Sequence, residues 1–428
     1  MLATTFAAAA DQPNLPSPLT LAEALNIALQ NSTNIRTALA QLEQASGQYE
    51  QSRSPLLPQL DIKAHQDYLT VNLAGLGLLV PGTTTGKIGP FASMDARAFV
   101  TQEISLSSIR GWQSSRSRQE SSRLLLDNAR ELVALRVVAT YLDALKAKAS
   151  RDSLLAQTKL ADDLYRLTRS RVNQGVAAEL DANRAMQQSN SLLQQRQEAE
   201  HSYVDAKLNL ANLLQARVTA DFDVADEAAY GTGTTPDRSS ALQTALASRA
   251  DYQSAEANVK AAELQIRSIK ATRLPTLTLR ASDGQSGFTP VHNVNTYDVG
   301  GSIEFPIFTG GRIRGEVQEA EGALREAQAA LDANREQIEA DVQAAISGIQ
   351  WALLEVETSA SNVKLSRQEV AFTRSRFSQG IADNTEVVNA QDRLQKADDA
   401  QIRAQYALGL ARANFARATG AAQQTYRK

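Results

Sequence analysis

Apolar residues recur at every third or fourth position over two long stretches of the chain, which is the spacing of a helix with one apolar face. The first stretch contains Leu125, Ala129, Leu132, Leu135, Ala139, Leu142, Leu145 and Ala149. The second, with strict coiled-coil spacing, contains Val317, Ala320, Leu324, Ala327, Leu331, Asn334 and Ile338. No proline interrupts either stretch. The pattern therefore predicts long helices from about Trp112 to Gln174 and from Arg312 to Gln379.

Each predicted helix ends at a copy of the same phrase. RSRVNQGVAAELDANRA occupies Arg169–Ala185 and RSRFSQGIADNTEVVNA occupies Arg374–Ala390, so that Gly175 and Gly380 lie 205 residues apart. Glycine adopts the left-handed conformation that commonly ends a helix, and a new helical pattern follows each copy. The duplication predicts two long antiparallel helical hairpins, each with its bend at one glycine.

Four β-rich segments flank two glycine-containing loops and predict four strands. Their approximate ranges are 57–71, 96–106, 274–282 and 297–308. Leu-Pro precedes the first strand of each pair, in LLPQLDI and RLPTLTL, so the strand pair is duplicated together with the hairpin. Four strands cannot close a barrel alone, and backbone groups facing lipid must all be paired. If these strands face lipid, several chains must pool them.

The duplication gives a domain layout with two repeats. The predicted segments are an N-terminal segment 1–18, repeat 1 at 19–230 with its tip near 175, a linker 231–238, repeat 2 at 239–420 with its tip near 380, and a C-terminal tail 421–428. Small residues before Asp11 suit either a remnant of a signal peptide or an added start of the chain. In the first strand pair, the loop 72–91 has an apolar run that suits either lipid or the mouth of a barrel.

Composition excludes several classes of protein. The formal net charge is −3 with acidic and basic residues interleaved, which disfavours a nucleic-acid partner. The chain has no cysteine, and its three histidines lie far apart, so no metal site is predicted. No Ser/His/Asp set or paired carboxylates stand out from helix-surface charge. The sequence predicts no enzyme, no catalytic residue and no cofactor.

The ordered set of these motifs resembles the TolC-type outer-membrane efflux proteins, also called outer membrane factors. The resemblance rests on LTLAEALNIALQNS (Leu19–Ser32), the Leu-Pro strand entries, FPIFTGGRIRGEVQEA (Phe305–Ala320) and both bend phrases. It covers nearly the whole chain, to about Gly420.

The resemblance implies the fold class: mainly α with a β-barrel portion, in a two-repeat chain of long antiparallel coiled-coil hairpins plus four strands. Three chains would form a homotrimer with an α-helical tunnel and a shared transmembrane β-barrel. It also implies an outer-membrane location, with the helical part in the periplasm, and contact with outer-membrane lipid. The implied partners are a periplasmic adaptor, or membrane fusion protein, and an inner-membrane pump.

The resemblance further implies a periplasmic gate at Asp181, Glu386 and Asn389. Acidic side chains repeated by threefold symmetry would crowd one another in a pore and favour cations. The alternative is that the carboxylates stabilise helix N-termini. The usual family arginine and tyrosine of this region are replaced by Ala382 and Phe377, so closure by those particular bonds is not expected.

The same resemblance implies that the two bends dock the adaptor. The docking residues would be Gln174, Gly175, Val176, Gln379, Gly380 and Ile381. A simple helix stop is the alternative, but it would not require an apolar residue directly after the glycine in both copies.

The predicted function is a passive outer-membrane exit duct of a tripartite efflux or type I secretion system, conducting small molecules or polypeptides. The alternative is a periplasmic coiled-coil scaffold or adaptor without a pore. An adaptor would have one hairpin between halves of small β-domains, whereas this pattern has two hairpins and two strand pairs.

Overall fold

The computed structural model describes residues 15–78, 86–218, 221–225, 235–289 and 291–427. Its helices are α1 Leu21–Asn31, α2 Thr33–Arg53, α3 Leu106–Asn173, α4 Glu179–Leu213, α5 Arg238–Ser248, α6 Ala250–Ala271, α7 Arg312–Ser378, α8 Asn384–Ala418 and α9 Ala422–Tyr426. Its strands are β1 Gln59–Asn72, β2 Lys87–Ile104, β3 Thr276–Gly287 and β4 Asn293–Glu304. None of the described helices is both long and apolar enough to cross a membrane.

The two long helices predicted from the apolar pattern are present. Helix α3 has 68 residues and begins at Leu106, six positions before the predicted start, while α7 has 67 residues and begins at Arg312 as predicted. Each is followed, after a short bend, by a helix of 35 residues. The predicted fold class of long helical hairpins with four strands is therefore confirmed.

Strand bounds differ from the predicted ones for identifiable reasons. Strand β2 begins at Lys87, inside the predicted loop, because it continues to pair with β1 as far as Asn72 across a register shift between Leu69 and Val71. Strand β4 begins at Asn293 and ends at Glu304 rather than at 308. Pro306 lies two residues after the end of β4 and has no N–H to donate to a ladder.

The four strands form one antiparallel sheet in the order β1-β2-β3-β4. Residues directly opposite each other share a face, so the register divides the sheet into two chemically different surfaces. The apolar face carries Leu60, Ile62, Val100, Ile104, Leu277, Leu279, Ala281, Tyr297, Val299 and Ile303, with Asp283 as a charged exception. The polar face carries Asp61, Lys63, His65, Asp67, Asp95, Arg97, Glu103, Arg280, Asp298 and Glu304.

The apolar stripe predicted along α3 is only partly buried. Leu142 and Leu145 are buried, but Leu125 and Leu132 are 43% and 48% exposed. The core side of this region of α3 instead carries Val133, Ala134, Val137, Val138 and Tyr141. The helix has apolar residues on more than one side here, so sequence spacing alone could not tell which line would be buried.

Helix α7 carries a line of buried residues spaced by three, four or seven positions. This inner seam consists of Ile338, Val342, Ala345, Ile349, Ala352, Ser359, Val363, Val370, Thr373 and Phe377. The predicted coiled-coil spacing therefore continues beyond Ile338 to the end of the helix. Clusters around Ile338, Ile349 and Phe377 pack this seam against α5 and α8.

The compact units of the structure do not coincide with the two predicted repeats. One unit comprises residues 1–40, 124–253 and 333–428, and the other comprises 41–123 and 254–332. Each unit takes segments from both sequence repeats.

Helix α5 begins within the predicted linker at Arg238, where Asp237 accepts a hydrogen bond from Ser240 N, and α9 lies within the predicted tail. The predicted N-terminal segment up to residue 14 and most of the linker lie outside the described residues, so the repeat boundaries stay a prediction.

A buried charge network joins several helices of the first unit. Arg249, between α5 and α6, is 4% exposed and donates to Asp251 at 2.7 Å and to Asp341 of α7 at 2.8 Å. Arg417 of α8 reaches Asp251 at 3.3 Å and Asn128 of α3 at 2.7 Å. Burial opposes ionisation of Asp251, but the hydrogen bonds and charges of Arg249 and Arg417 outweigh it and lower its pKa.

Replacing Arg249 by methionine should lower the free energy of unfolding by about 2–4 kcal/mol, because Asp341 loses its cation and Asp251 keeps only the longer contact to Arg417. Arg335→Met removes the exposed pair with Glu339 and should cost under about 0.5 kcal/mol. Chemical denaturation in detergent, followed by far-ultraviolet circular dichroism, measures both. Equal midpoints for the two variants would contradict the role of the network.

The loss of unfolding free energy in Arg249→Met should become smaller as pH falls. Because the folded pKa of Asp251 is lowered, its contribution is present above its unfolded pKa of about 3.9 and is lost as pH falls through the folded value. The difference between Arg249→Met and the wild type should therefore shrink as pH falls below about 4.

Candidate functional site

The two bends have the same backbone structure. Gly175 and Gly380 have φ of +74° and +75°. In each bend the glycine N–H bonds the carbonyl three residues back, and the next residue's N–H bonds the carbonyl five residues back. This is the Schellman motif that ends a helix, and it requires the left-handed conformation that glycine adopts without strain. The sequence prediction for both bends is confirmed at this level.

The residues around each glycine are presented to solvent. Val176 and Ile381, which directly follow the glycines, are 61% and 64% exposed. Gln174 and Gln379, which directly precede them, are exposed as well. Apolar side chains at the outermost point of each hairpin gain nothing from folding of one chain. They are available to a partner.

Asp181 and Glu386 lie in the first turns of α4 and α8, at equivalent positions of the two copies. Asp383 caps α8 by accepting a hydrogen bond from Glu386 N at 2.9 Å, whereas Ala178 at the start of α4 provides no side-chain cap. The positions of both carboxylates suit the positive end of a helix dipole. The role in a gate and the role at a helix N-terminus both stay predictions for these two carboxylates.

The three predicted gate residues differ in environment. Glu386 accepts a hydrogen bond from Arg376 Nη1 at 3.1 Å, and both side chains are about half exposed. Asn389 is exposed and Asp181 is half-buried. The carboxylate of Glu386 is therefore paired with an arginine of its own hairpin, Arg376, which is the third residue of the duplicated phrase.

Three hydrogen bonds connect the two bends to each other, and we call this set the tip latch. Asn384 Nδ2 donates to the backbone oxygen of Asp181 at 2.9 Å, Arg171 Nη1 donates to the backbone oxygen of Phe377, and Arg184 Nη1 donates to Thr385 Oγ1 at 3.2 Å. The first residue of α8, Asn384, is 1% exposed. The latch is thus anchored by a buried amide.

The tip latch is asymmetric even though the phrases are duplicates. Arg171 and Arg376 occupy equivalent positions, but Arg171 reaches the other hairpin while Arg376 pairs with Glu386 in its own. Asn384 corresponds to Glu179, which instead pairs with Arg169. Asn389 likewise corresponds to Arg184. Sequence analysis missed the latch. The sequence did carry a signal. The two copies differ at Glu179/Asn384 and at Arg184/Asn389, while both keep the arginine at 171 and 376.

Phe377 and Ala382, which replace the usual family tyrosine and arginine, pack together rather than bond through polar groups. Phe377 is 4% exposed and lies in a cluster with Leu164 and Val387, with Ala382 packed against it. The Arg171 guanidinium lies 4.7 Å from the centroid of the Phe377 ring. Apolar packing and one cation–π contact are therefore found here, in agreement with the expectation that a tyrosine hydroxyl and an arginine do not close this chain.

The arrangement offers polar and apolar contacts rather than reaction chemistry. No group of three potential metal ligands comes together in the part of the chain that the structure describes. The tip carries arginines, amides and the carboxylates of Glu179, Asp181, Asp383 and Glu386, which are groups that can hydrogen-bond a charged partner.

Comparison with known proteins shows that this chain is similar to outer-membrane proteins. The family described as Outer membrane efflux protein matches residues 24–215 and 241–421. The chain is 28% identical over 315 residues to the pyoverdine export outer membrane protein OpmQ of Pseudomonas putida. That match covers 70% of this chain and 64% of the relative, slightly less than two thirds of its length.

Two solved structures show the same fold at low sequence identity. The CmeC outer membrane channel of Campylobacter jejuni has a TM-score of 0.78 at 19% identity, covering 94% of this chain and 86% of CmeC. The outer membrane protein VceC of Vibrio cholerae has a TM-score of 0.78 at 18% identity, covering 94% of this chain and 96% of VceC.

Asn384→Ala should loosen the contact between the two bends. It removes the donor to the Asp181 carbonyl, and loss of such a buried bond costs about 1–3 kcal/mol. Hydrogen exchange of the segments 176–190 and 381–395 should become faster by about tenfold or more. Asn389→Ala is the matched control, because it makes the same change at an exposed position of the same helix. Unchanged exchange in Asn384→Ala would show that the bends are held together by other contacts.

Proposed function

Because the chain belongs to the outer membrane efflux protein family, we propose that it is a passive exit duct of a tripartite efflux or type I secretion system. Its location is the outer membrane. In this proposal a periplasmic adaptor and an inner-membrane pump deliver the cargo, and the chain itself catalyses no reaction. The likeness to a pyoverdine export protein favours small molecules over polypeptides as cargo.

The observation that carries the proposal is the two-faced sheet. One face is apolar and largely exposed, including Ile62, Tyr297 and Val299 at 75–79% exposure, while the other carries charges. A surface of this kind suits lipid on one side and water on the other. Among the described strands, β1 and β4 each have one neighbour only, so a homotrimer that pools its strands into a barrel would satisfy both open edges.

A second surface supports a homotrimer. Along α7, Trp351, Leu354, Leu365 and Phe372 are 74%, 58%, 60% and 65% exposed, and they recur with heptad spacing. We call this line the outer seam of α7. Each of its residues follows an inner-seam position by two, which places the outer seam about 200° around the helix. A helix with seams on opposite sides suits a continuous layer of helices, with the outer seam covered by a second copy of the chain.

In the proposed trimer, Asp181, Glu386 and Asn389 contribute to the periplasmic gate, and the tip latch keeps it closed. The support is their position at the bends together with the buried Asn384 contact. Arg376 lies beside Glu386, so the fixed charge of a gate depends on this pair rather than on carboxylates alone.

Glu386→Gln should reduce the preference of the channel for cations, because it removes a negative charge and leaves Arg376 unpaired. The cation-to-anion permeability ratio, measured as a reversal potential in a salt gradient across a planar bilayer, should fall by about twofold or more. Glu369→Gln, which removes an exposed α7 carboxylate paired with Arg393, should leave the ratio unchanged. An unaltered reversal potential in Glu386→Gln would place the residue outside the constriction.

The bends are proposed to dock the adaptor through Gln174, Gly175, Val176, Gln379, Gly380 and Ile381. The support is the exposure of Val176 and Ile381 on an identical backbone turn. Two equal tips on one chain would give a trimer six docking points for the hairpins of a partner.

Gly380→Val should weaken adaptor capture, since a left-handed conformation costs a non-glycine residue about 1–2 kcal/mol. A photocrosslinking residue at Gln379 in intact cells reports the captured periplasmic protein, which mass spectrometry identifies. Gly322→Val is the control, because an added Cβ at that helical glycine meets nothing within 4 Å. Equal crosslinking in both variants would refute docking through this tip.

The rival proposal is a periplasmic scaffold or adaptor without a pore. It gives no reason for an exposed apolar sheet face and open sheet edges on a chain with two hairpins. Recovery of the native protein in a carbonate wash of membranes would favour this rival, while recovery only in detergent would favour the duct.

A further inference from the structure

The four segments that join the sheet to the helices lie at one end of the sheet. Gln59, at the start of β1, is opposite Thr101 near the end of β2. Thr276, at the start of β3, is opposite Glu304 at the end of β4, and the pairing of β2 with β3 brings these ends together. We call the joining segments, 51–58, 105–112, 268–275 and 305–315, the collar. All four belong to the same compact unit.

The collar is cationic in every segment. It contains six basic residues and no aspartate or glutamate, although acidic and basic residues are interleaved along the chain as a whole and the formal net charge is −3. A concentration of one sign of charge at one level of a protein attracts a partner of the opposite sign. The six basic residues are Arg53, Arg110, Lys270, Arg273, Arg312 and Arg314.

Arg273 and Arg314 are the two collar cations that no carboxylate of the described residues neutralises. Three of the other four pair with glutamates outside the collar, at 2.6–3.7 Å, and Arg110 donates to Gln113. Arg273 and Arg314 are exposed, and no carboxylate oxygen of the described residues lies within 4.0 Å of either guanidinium. Their N–H groups are therefore available to an anionic partner.

Exposed apolar side chains accompany the cations in every collar segment. Leu57, Leu106 and Leu274 are 47%, 42% and 46% exposed. Ile307 and Phe308, which follow β4, are 90% and 89% exposed, the highest values among the large apolar side chains that the structure describes. Side chains this exposed gain nothing from the folding of one chain, which indicates that an apolar phase or another surface covers them.

The collar continues the apolar face of the sheet rather than its polar face. Phe305, which is 58% exposed, lies two positions after Ile303 of the apolar face, the spacing at which extended residues share a face. The nearest charged strand residues, Glu103 and Glu304, belong to the polar face. The order of chemistry from the apolar face into the collar is therefore apolar and aromatic first, then cationic, without a carboxylate between them.

We infer that the collar docks on the headgroups of anionic phospholipids, with Arg273 and Arg314 as the principal contacts. Ile307 and Phe308 reach the acyl chains, and each guanidinium donates to the phosphate of its own lipid, so the two arginines need not converge on one ligand. Arginine suits this role because its planar group can donate two parallel hydrogen bonds to a phosphate. Basic residues beside a membrane-embedded segment are attracted to anionic lipid in the same way.

The inference rests on the proposed function, in which the apolar face of the sheet meets the bilayer. It deepens that function by assigning one kind of lipid to one end of the sheet. Because the helices leave the sheet at the collar, the lipids in question are those of the periplasmic leaflet of the outer membrane.

Quenching by brominated lipids tests the inference with the full chain reconstituted in vesicles. Phe308→Trp, in a chain that also carries Trp112→Phe and Trp351→Phe, places the only indole of the chain in the collar. At equal content, brominated phosphatidylglycerol should quench this fluorescence about twofold or more strongly than brominated phosphatidylcholine. Raising the salt concentration from about 0.1 M to about 1 M shortens the Debye length from about 10 Å to about 3 Å and should remove most of the preference.

Arg273→Gln combined with Arg314→Gln should bring the quenching ratio of the two lipids close to one, while quenching by phosphatidylcholine persists. Arg273→Lys combined with Arg314→Lys keeps both charges and should keep most of the preference. The matched control is Arg325→Gln combined with Arg335→Gln. It removes two cations of α7 that lie about 16 Å or more beyond Arg314 along the helix, and it should leave the ratio unchanged.

Equal quenching by the two lipids in the reporter chain, or a preference that survives the loss of both arginines, would overturn the inference and leave the duct intact. If neither lipid quenches the indole of a chain that floats with the vesicles, another copy of the chain or another protein covers the collar, and the inference is wrong. A chain that enters vesicles of neither lipid would contradict the proposed function and the inference together.

Discussion

The backbone groups along the open edges of β1 and β4 impose the strongest constraint on this chain. A strand edge presents a row of unpaired N–H and C=O groups, and water satisfies them where the edge is exposed. Lipid offers no hydrogen bonds, so a sheet with an apolar face directed to a bilayer must close its edges against other strands. In the proposed duct, both faces and both edges of this sheet therefore lead to the same requirement, which is further copies of the chain.

The two duplicated hairpins have the same outer surface at their bends but different inner contacts. Identical Schellman turns at Gly175 and Gly380 present Val176 and Ile381 in the same way, so the two copies are equivalent towards the outside. Towards each other they are not equivalent, since Arg171 crosses to the second hairpin while Arg376 stays within it. In the proposed duct, a repeat that stays symmetric at its outer surface and has diverged at its inner contacts could hold a closed gate and still dock a partner at both bends.

Sequence patterns predicted the helical hairpins, their bends and the four strands because each depends on local rules: apolar period, absence of proline, and glycine at a left-handed turn. The extent of β2 was not predictable in this way, since pairing with β1 carries it through Gly89 and Pro90. The prediction of the buried side of α3 was also wrong at Leu125 and Leu132. This part of the helix has apolar residues on more than one side, and the local sequence does not show which side packs against a neighbouring helix. The tip latch depends on residues brought together from distant parts of the chain, which periodicity does not report.

The central claim is that three copies of the chain share one assembly, and native mass spectrometry of the detergent-solubilised protein tests it most directly. The account predicts a single species of about three times the 46.2 kDa of one chain. Leu365→Lys combined with Phe372→Lys on the outer seam of α7 should shift this species towards single chains, whereas lysine at the exposed α7 position Gln328 should not. A wild-type protein that is entirely monomeric or dimeric under these conditions would contradict the account.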